Sequence, residues 1–384
     1  MSSWKECKLG DVAEIIGGGT PSTSNNEFWN GNIPWLTPRD LTGYSKVYIS
    51  HGERFITESG LKNSSAKLMP KGSVLLTSRA PIGYVVIAEN EICTNQGFKS
   101  LVPNFEILNS EFLYYWLKSN IDYLQQLGTG TTFAEISGSV VKNIDISIPP
   151  LEEQKAIAEV LSILDDKIDL LHRQNQTLES LAQTLFRQWF IEEAKEEWEV
   201  GKLPDEFDFT MGLSPSGSTY NEEQNGIPMF QGNADFEFRF PSNRVYTTDP
   251  KRIAERFDTL ISVRAPVGAQ NMAKEKCCIG RGVASFRYKF DNSFYTYTYY
   301  KMHSLMEEIK QFNETGTVFG SIGKSDFEAI EIAKPPFEYV AKFQNEVKSI
   351  DDKIILNCEQ IKSLENLRDT LLPKLLSGEV RVNI

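Results

Sequence analysis

The sequence contains few of the residues from which hydrolytic and metal sites are built. It has three histidines, His51, His172 and His303, and five cysteines among 384 residues. No two cysteines form a Cys-x-x-Cys pair, so the spacing of a zinc site is missing. Scattered histidines also give no Ser/His/Asp or Cys/His arrangement. We therefore expect no metal and no catalytic residue, and we interpret the cysteines as reduced core thiols.

Long apolar runs are missing as well. No stretch approaches the roughly 18 apolar residues that span a bilayer, and the first residues contain no signal-peptide core. These features predict a cytoplasmic protein. Its hydrophobic content of 40% and charged content of 24% are typical of a folded chain, and its length predicts two or more cores.

Motifs that resemble enzyme sites are incomplete. Gly323-Lys324-Ser325 resembles the end of a phosphate-binding loop, but Val318 stands where that loop requires glycine. Asp165-Asp166-Lys167 and its copy at Asp351 resemble nuclease residues, yet both lie in long helical patterns. We expect them to be charged residues that flank a helix-packing face.

The net charge of −12 disfavours a nucleic-acid partner, but the charge is unevenly distributed. Residues 239–289 contain eleven Lys and Arg against four Asp and Glu, and the candidates for phosphate contact among them are Lys251, Arg252 and Arg256. This segment, which we call the basic segment, is either a polyanion-binding patch or a mixed solvated face.

The second half of the sequence repeats the first. Residues 78–83 match residues 263–268 at a shift of 185, and residues 130–133 match residues 316–319 at a shift of 186. Pro149-Pro150 and Asp165-Asp166-Lys167 return at the shift of 186, and residues near the front return at a shift of 194. Each half is therefore a structural unit, and we expect a pseudo-twofold axis.

Each half begins with short strands between glycine and proline turns and ends in a long helix after Pro-Pro. Apolar residues spaced three and four apart over residues 161–189 and 347–375 predict two coiled-coil seams. We expect these helices to pair antiparallel, with Asn175 opposite Asn357 and Leu178 opposite Ile354. The first helix also carries Val160, Ile163, Leu170, Phe186 and Phe190 off the seam, where they face either the protein's own domains or a partner.

The predicted fold class is mixed α/β, with two repeated globular domains separated by two long antiparallel helices. The predicted domains are residues 1–150 and 198–336, and the helical regions are residues 151–197 and 337–384. The acidity of the chain lies mainly in the first of these helical regions.

Several stretches resemble the DNA-specificity subunits of type I restriction-modification systems. The stretches that carry the resemblance are IPPLEEQKAIA at 148–158, LSILDDKI at 161–168, LLPKLLSGEV at 371–380, GGTPS at 18–22, IPWL at 33–36, TSR at 77–79 and NQGF at 95–98. The second half departs from the pattern, because Gly280-Arg281-Gly282-Val283 replaces NQGF.

The resemblance implies a DNA-binding adaptor without catalysis of its own. Each globular domain would read one half of a bipartite double-stranded DNA site, and the helices would bind two modification (methyltransferase) subunits. S-adenosylmethionine would be held by those modification subunits, and restriction (motor-nuclease) subunits would join the full complex.

Base reading requires side chains such as Arg, Asn and Gln, while Lys and Arg also hold phosphate. The candidates are Arg79, Gln96 and Lys99 in the first half and Arg264, Arg281 and Arg287 in the second. Arg79 and Arg264 occupy equivalent positions, which suits phosphate contact or scaffolding better than specificity. The alternative for both is an arginine that structures its own loop.

Two other functions remain open from the sequence. The first is the recognition part of a DNA methyltransferase, which the lack of a cofactor motif disfavours. The second is a coiled-coil scaffold without nucleic acid, which the basic segment disfavours.

Overall fold

The computed structural model describes residues 4–129, 134–312 and 320–382. The repeated motif at 130–133 and 316–319, including Val318, lies outside the described residues. The chain forms two compact units. Unit 1 comprises Met1–Leu170 and Lys362–Ile384, and unit 2 comprises Leu171–Ile361.

In the residues that the structure describes, unit 1 begins with ten strands and five short α-helices and continues into a long helix. The strands are β1 (Lys5–Lys8), β2 (Ala13–Gly17), β3 (Trp29–Leu36), β4 (Tyr48–Ile49), β5 (Arg54–Ile56), β6 (Val74–Ser78), β7 (Ile82–Ala88), β8 (Cys93–Thr94), β9 (Lys99–Pro103) and β10 (Asp145–Ile148). The helices are α1 (Leu9–Val12), α2 (Glu58–Lys62), α3 (Ser110–Ser119), α4 (Ile121–Gln126), α5 (Gly138–Lys142) and α6 (Leu151–Arg187), which crosses into unit 2.

Unit 2 repeats most of this order. Its strands are β11 (Glu199–Lys202), β12 (Phe207–Met211), β13 (Tyr220–Asn221), β14 (Ile227–Phe230), β15 (Tyr246–Thr247), β16 (Ile253–Ala254), β17 (Thr259–Ser262), β18 (Gln270–Met272), β19 (Cys277–Ile279), β20 (Val283–Tyr288) and β21 (Glu331–Lys334). Its helices are α7 (Leu203–Glu206), α8 (Tyr295–Ser304), α9 (Met306–Gln311), α10 (Lys324–Ala329) and α11 (Phe337–Ser377), which ends in unit 1.

The two units share most of a sheet plan: β2-β9-β6-β7 corresponds to β12-β20-β17-β18, and the parallel pair of β3 with β8 corresponds to that of β14 with β19. Unit 1 has a sheet of order β2-β9-β6-β7-β4 and a second of order β5-β3-β8, while unit 2 has β12-β20-β17-β18 and β13-β15-β14-β19-β16. In each unit the first strand also pairs antiparallel with the strand before Pro-Pro, β1 with β10 and β11 with β21. The repeat and the predicted mixed α/β fold class are thereby confirmed.

Each core packs one sheet against one largely buried helix. In unit 1, Asn109 caps α3, because its side chain accepts a hydrogen bond from the Phe112 amide, and the helix buries Phe112 and Leu113. In unit 2 the corresponding α8 buries Tyr297 in an aromatic cluster with Phe186 and Phe343. Large aromatic side chains therefore dominate the second core.

The long helices are buried along the predicted seams. In unit 2, Phe186 contacts Phe343 and Asn175 contacts Asn357, so these segments of α6 and α11 run antiparallel. Asn357 donates to Asn175 Oδ1 at 2.9 Å, and both side chains are buried. Ile354 is fully buried and Leu178 half-buried in the same seam. The seam ends at Gly378, which has a φ of +76°, a conformation that favours glycine.

The apolar residues off the seam have two different surroundings. Phe186 and Phe190 pack into the core of unit 2, whereas Ile163 is 59% and Leu170 39% exposed. Part of this face therefore serves the protein's own core, and part lies open.

The described cysteines are free thiols, and Cys93, Cys277 and Cys278 are buried. Within the described ranges, no group of His, Cys, Asp and Glu could hold a metal ion. None of the helices in those same ranges is long and apolar enough to cross a membrane.

Candidate nucleic-acid interface

In each unit, two loops meet through backbone atoms at a glycine. A Cβ atom on Gly18 would lie 1.9 Å from the Asn95 carbonyl oxygen, and one on Gly212 would lie 2.1 Å from that of Gly280. Only glycine permits so close an approach. The backbone bonds Gly19 N to Thr94 O and Leu213 N to Ile279 O fasten the same loops. We call this meeting point the loop junction of each unit.

The loop junction of unit 1 presents Gln96. Its side chain is exposed, and Thr20 Oγ1 donates to Gln96 Oε1. Asn95 Oδ1 accepts from the Gly97 amide at 2.8 Å and so shapes the turn that carries Gln96. A predicted base reader therefore lies at the loop junction, held by a hydroxyl group.

The loop junction of unit 2 presents Arg281 at the equivalent position. The Arg281 amide donates to Ser214 Oγ at 3.1 Å, and Ser214 donates to Gln231 Oε1 at 2.7 Å. Gln231 Nε2 in turn donates to the Tyr220 hydroxyl at 2.6 Å. The hydroxyl residue is thus retained, because Ser214 corresponds to Thr20 at the shift of 194, while glutamine is replaced by arginine.

Sequence reasoning did not find Thr20, Ser214, Gln231 and Tyr220. The signal for the first two was present, because they align within the repeat beside Pro21 and Pro215. Gln231 follows β14, whose pairing with β19 could not be read from the sequence.

Arg79 and Lys99 converge on Glu135 in unit 1. Lys99 Nζ lies 2.9 Å from Glu135 Oε1, and Arg79 Nη1 lies 3.5 Å from Oε2. The hydrogen bond from Lys99 and the two positive charges lower the pKa of Glu135, so it remains ionised. The cluster carries one net positive charge, and its contacts favour the alternative in which Arg79 structures its own loop.

Arg264 has different surroundings in unit 2. Ser321 stands at the position equivalent to Glu135, and the two segments meet through a backbone bridge between Arg264 and Ser321. Ala284 replaces Lys99, and the Arg264 side chain is exposed. The net charge at this point is therefore the same in both units, although it is produced by different residues.

The basic segment does not form one continuous patch. Arg239 is fully buried, so its inclusion in a surface patch was wrong. Four other cations lie in ion pairs with acidic neighbours: Arg244 with Asp235, Lys251 with Asp249, Lys276 with Glu255, and Arg287 with Asp258.

Three of the candidates, Arg252, Arg256 and Arg287, lie at different places on the unit 2 sheets. Arg252 accepts a backbone hydrogen bond from Ile279 and so lies beside the Arg281 loop. Arg256 lies at the other end of β16, over the Phe257 ring at 4.5 Å. Arg287 is near the end of β20, roughly 13 Å or more along the strand from the loop junction. The structure therefore places Arg252 near the loop that carries Arg281, whereas Arg256 and Arg287 lie away from that loop.

The Asp-Asp-Lys motifs take part in packing. Asp165 accepts from the Tyr115 hydroxyl at 2.8 Å and pairs with Arg368 at 2.8 Å. Asp351 is fully buried and accepts from Thr296 Oγ1 at 3.0 Å. The prediction of charged residues that flank a packing face agrees with Asp165, Asp166 and Asp352, which are partly or largely exposed, but it was wrong for Asp351, which is buried.

Comparison with known proteins connects this geometry to a family. Residues 1–180 and 195–366 each match the family model described as the type I restriction modification DNA specificity domain. The chain is 36% identical to the type I restriction enzyme MjaIX specificity subunit of Methanocaldococcus jannaschii, over 99% of this chain and 94% of that protein. It is 25% identical to the HindI specificity subunit of Haemophilus influenzae, over 99% and 100%.

The fold has a counterpart among solved structures. The crystal structure of the type I restriction-modification S subunit from M. genitalium superimposes with a TM-score of 0.64 and 19% identity, over 97% of this chain and 96% of that chain. This likeness concerns the fold alone.

Proposed function

Because the chain belongs to the family of type I restriction-modification DNA-specificity subunits, we propose that it recognises a bipartite double-stranded DNA target, with one half-site read by each unit. The observation that carries this proposal is the loop junction, which is built twice with the same backbone contact and different polar side chains. A shared frame with exchanged side chains is what two different half-sites require.

The side chains at the two loop junctions favour different bases. Gln96 can form two hydrogen bonds with the major-groove edge of adenine, and Arg281 can do so with guanine. Arg79 and Arg264 are identical in the repeat, which suits phosphate contact or scaffolding better than base reading. We assign the exposed Arg264 to phosphate, whereas Arg79 and Lys99 hold their loop through Glu135. Sequence-independent phosphate contacts would come from Lys251, Arg252 and Arg256. Arg287 would join them once its ion pair with Asp258 is broken.

The proposed partners are two modification subunits and, in the full complex, restriction subunits. Exposed apolar side chains on the long helices, Ile163, Leu170 and Leu181 on α6 and Leu356 and Leu367 on α11, support docking of other proteins there. The methyl donor, S-adenosylmethionine, would belong to the modification subunits. This chain would direct methylation and cleavage without catalysing either reaction.

The test is a domain exchange followed by mapping of methylated sites. Residues 198–336 are replaced by the corresponding domain of a relative with a known target, and the modification subunit is supplied. The exchange should change one half-site and leave the other intact. A matched exchange of residues 1–150 should change only the other half-site. The proposal would fail if either exchange altered both half-sites or neither.

The long helices should determine the distance between half-sites. Insertion of about one helical turn after Asn175 should therefore alter the spacer and leave the base identities unchanged. Each additional base pair rotates a half-site by about 35°, so only a narrow range of spacers should be accepted. The same mapping experiment measures both effects.

A further inference from the structure

Unit 2 contains a buried cluster of three charged side chains. Arg239 lies in the loop between β14 and β15, Glu179 on α6 and Asp351 on α11. Arg239 Nη2 bonds to Glu179 Oε2, and Arg239 Nη1 lies 3.2 Å from Asp351 Oδ1. The side chains of Arg239 and Asp351 have no solvent exposure, and that of Glu179 has 15%. One guanidinium therefore links a loop of the recognition domain to both long helices.

Helix α8 encloses the same guanidinium. The Arg239 Cζ atom lies 3.9 Å from the centroid of the Tyr299 ring, and Arg239 Nη2 donates to the Tyr300 hydroxyl at 3.2 Å. Thr296 Oγ1 donates to the second oxygen of Asp351. The backbone is fixed as well, because the Met272 amide of β18 donates to the Arg239 carbonyl at 2.9 Å. The loop is thus held from the sheet side and the helix side.

Arginine suits this role because one nitrogen of its planar guanidinium bonds Glu179 while another lies within ion-pair distance of Asp351, whereas lysine presents a single point of charge. Removing Arg239 would leave Asp351 and Glu179 buried without their cation, which is strongly destabilising. Burial already raises the pKa of Glu179, and Arg239 opposes that rise.

In unit 1 the equivalent aspartate is paired with a cation from a different part of the chain. Asp165 is the repeat equivalent of Asp351, and its cation is Arg368 of α11 rather than a residue of the recognition domain. In unit 1 the helices therefore supply both partners of the pair. In unit 2 the helices supply two carboxylates and depend on the recognition domain for the cation.

We propose that Arg239 is a positioning residue that fixes the second recognition domain on the helix pair and determines which replacement domains are compatible with these helices. The proposal rests on the bipartite DNA recognition proposed above. A replacement domain without a cation at this position would fold poorly on these helices or would present its half-site in a variable orientation. Specificity and compatibility would thus reside in different residues of the same domain.

The test combines three substitutions in the full chain with its modification subunit. Arg239→Met, Glu179→Gln and Asp351→Asn together remove every charge of the cluster, so no buried ion is left unpaired. Binding is measured to duplexes with the native spacer and with one base pair added or removed. The triple variant should keep its preferred bases, but the ratio of affinities between native and altered spacers should fall tenfold or more.

Two further variants complete the design. Arg244→Met is the matched control, because Arg244 lies in the same loop but its side chain is largely exposed and pairs with Asp235; its spacer ratio should equal that of the wild type. Arg239→Lys keeps the charge without the fork, and its spacer ratio should lie between those of the wild type and the triple variant. A loss of folding in Arg239→Met alone that is rescued in the triple variant would further support the charge argument.

The outcomes separate the two proposals. If the wild type binds without any dependence on spacer length, bipartite recognition and the role of Arg239 are both refuted. If the wild type depends on the spacer and the triple and Lys variants retain that dependence in full, only the role of Arg239 is refuted. A triple variant that loses discrimination of bases rather than of spacers would also overturn it, because Arg239 would then act on base reading.

Discussion

The buried pair of Asn175 and Asn357 predicts a measurable coupling energy between the long helices. Asn357 Nδ2 donates to Asn175 Oδ1 at 2.9 Å, and the exposed fractions of the two side chains are 0% and 1%. Replacing Asn357 by Leu leaves the Asn175 oxygen without this donor in a buried seam, which costs about 1–3 kcal/mol before any apolar gain. Replacing Asn175 by Leu leaves the Asn357 side-chain amide without its acceptor, at a similar cost in free energy.

The double variant Asn175→Leu with Asn357→Leu removes both polar groups together. It also removes Asn357 Oδ1, which has no hydrogen-bond partner in the described structure. We therefore expect the double variant to lose less free energy of unfolding than the two single variants lose together, by about 1–3 kcal/mol. A polar pair of this kind costs stability and can fix the register of paired helices.

The assay is urea unfolding of the wild type, both single variants and the double variant, which together form a double-mutant cycle. Asn345→Leu, at an exposed position of α11, is the control and should change the free energy of unfolding by no more than about 0.5 kcal/mol. Additive single effects, with a coupling energy near zero, would show that the two asparagines do not depend on each other.

Three more predictions follow from the geometry. Burial raises the pKa of Glu206 above its ordinary value of 4.5, so the folded state holds this proton to a higher pH than the unfolded state does. The free energy of unfolding should therefore fall as pH rises beyond 4.5. Glu206→Gln should reduce this loss of stability, which is measured by thermal unfolding from pH 4 to 8. Phe186→Ala should lower the free energy of unfolding by about 3–5 kcal/mol, whereas Phe290→Ala, at a side chain that is 61% exposed, should lower it by less than about 0.5 kcal/mol; equal effects in urea unfolding would contradict the assigned core. Arg281→Ala should reduce discrimination at one base pair by about 1–3 kcal/mol. The combined variant Lys251→Ala, Arg252→Ala and Arg256→Ala should instead weaken binding to all duplexes alike and reduce the slope of log affinity against log salt by up to about 0.9 per lost contact. Binding to cognate and mismatched duplexes at several salt concentrations separates these effects.

The repeat and the long helices could be predicted because both leave periodic signals in the sequence. Apolar residues spaced three and four apart define a helix face whatever the rest of the chain does. The same spacing placed Asn175 opposite Asn357, and the structure has them in hydrogen-bond contact.

Contacts between a loop and a distant helix leave no such signal. Arg239 was counted with the surface cations because nothing local distinguishes it from Arg244 in the same loop. Its partner Glu179 lies 60 residues away. The pairing of Gln231 with Tyr220 likewise depends on how two loops fold back on one sheet, which sequence spacing does not determine.

The division of the chain between the two units has a consequence for its synthesis. Unit 2 is one continuous segment, so it can fold as soon as residues 171–361 have emerged from the ribosome. Unit 1 also needs Lys362–Ile384, which contains Leu375 and Leu376 of its core. At about 5–20 residues per second, the first 170 residues wait roughly 10–40 seconds for those leucines. Unit 1 is thus the first unit to be synthesised and the last to complete its fold. During that interval the nascent chain exposes the apolar surface that Leu375 and Leu376 later cover, both to chaperones and to other chains being translated from the same mRNA.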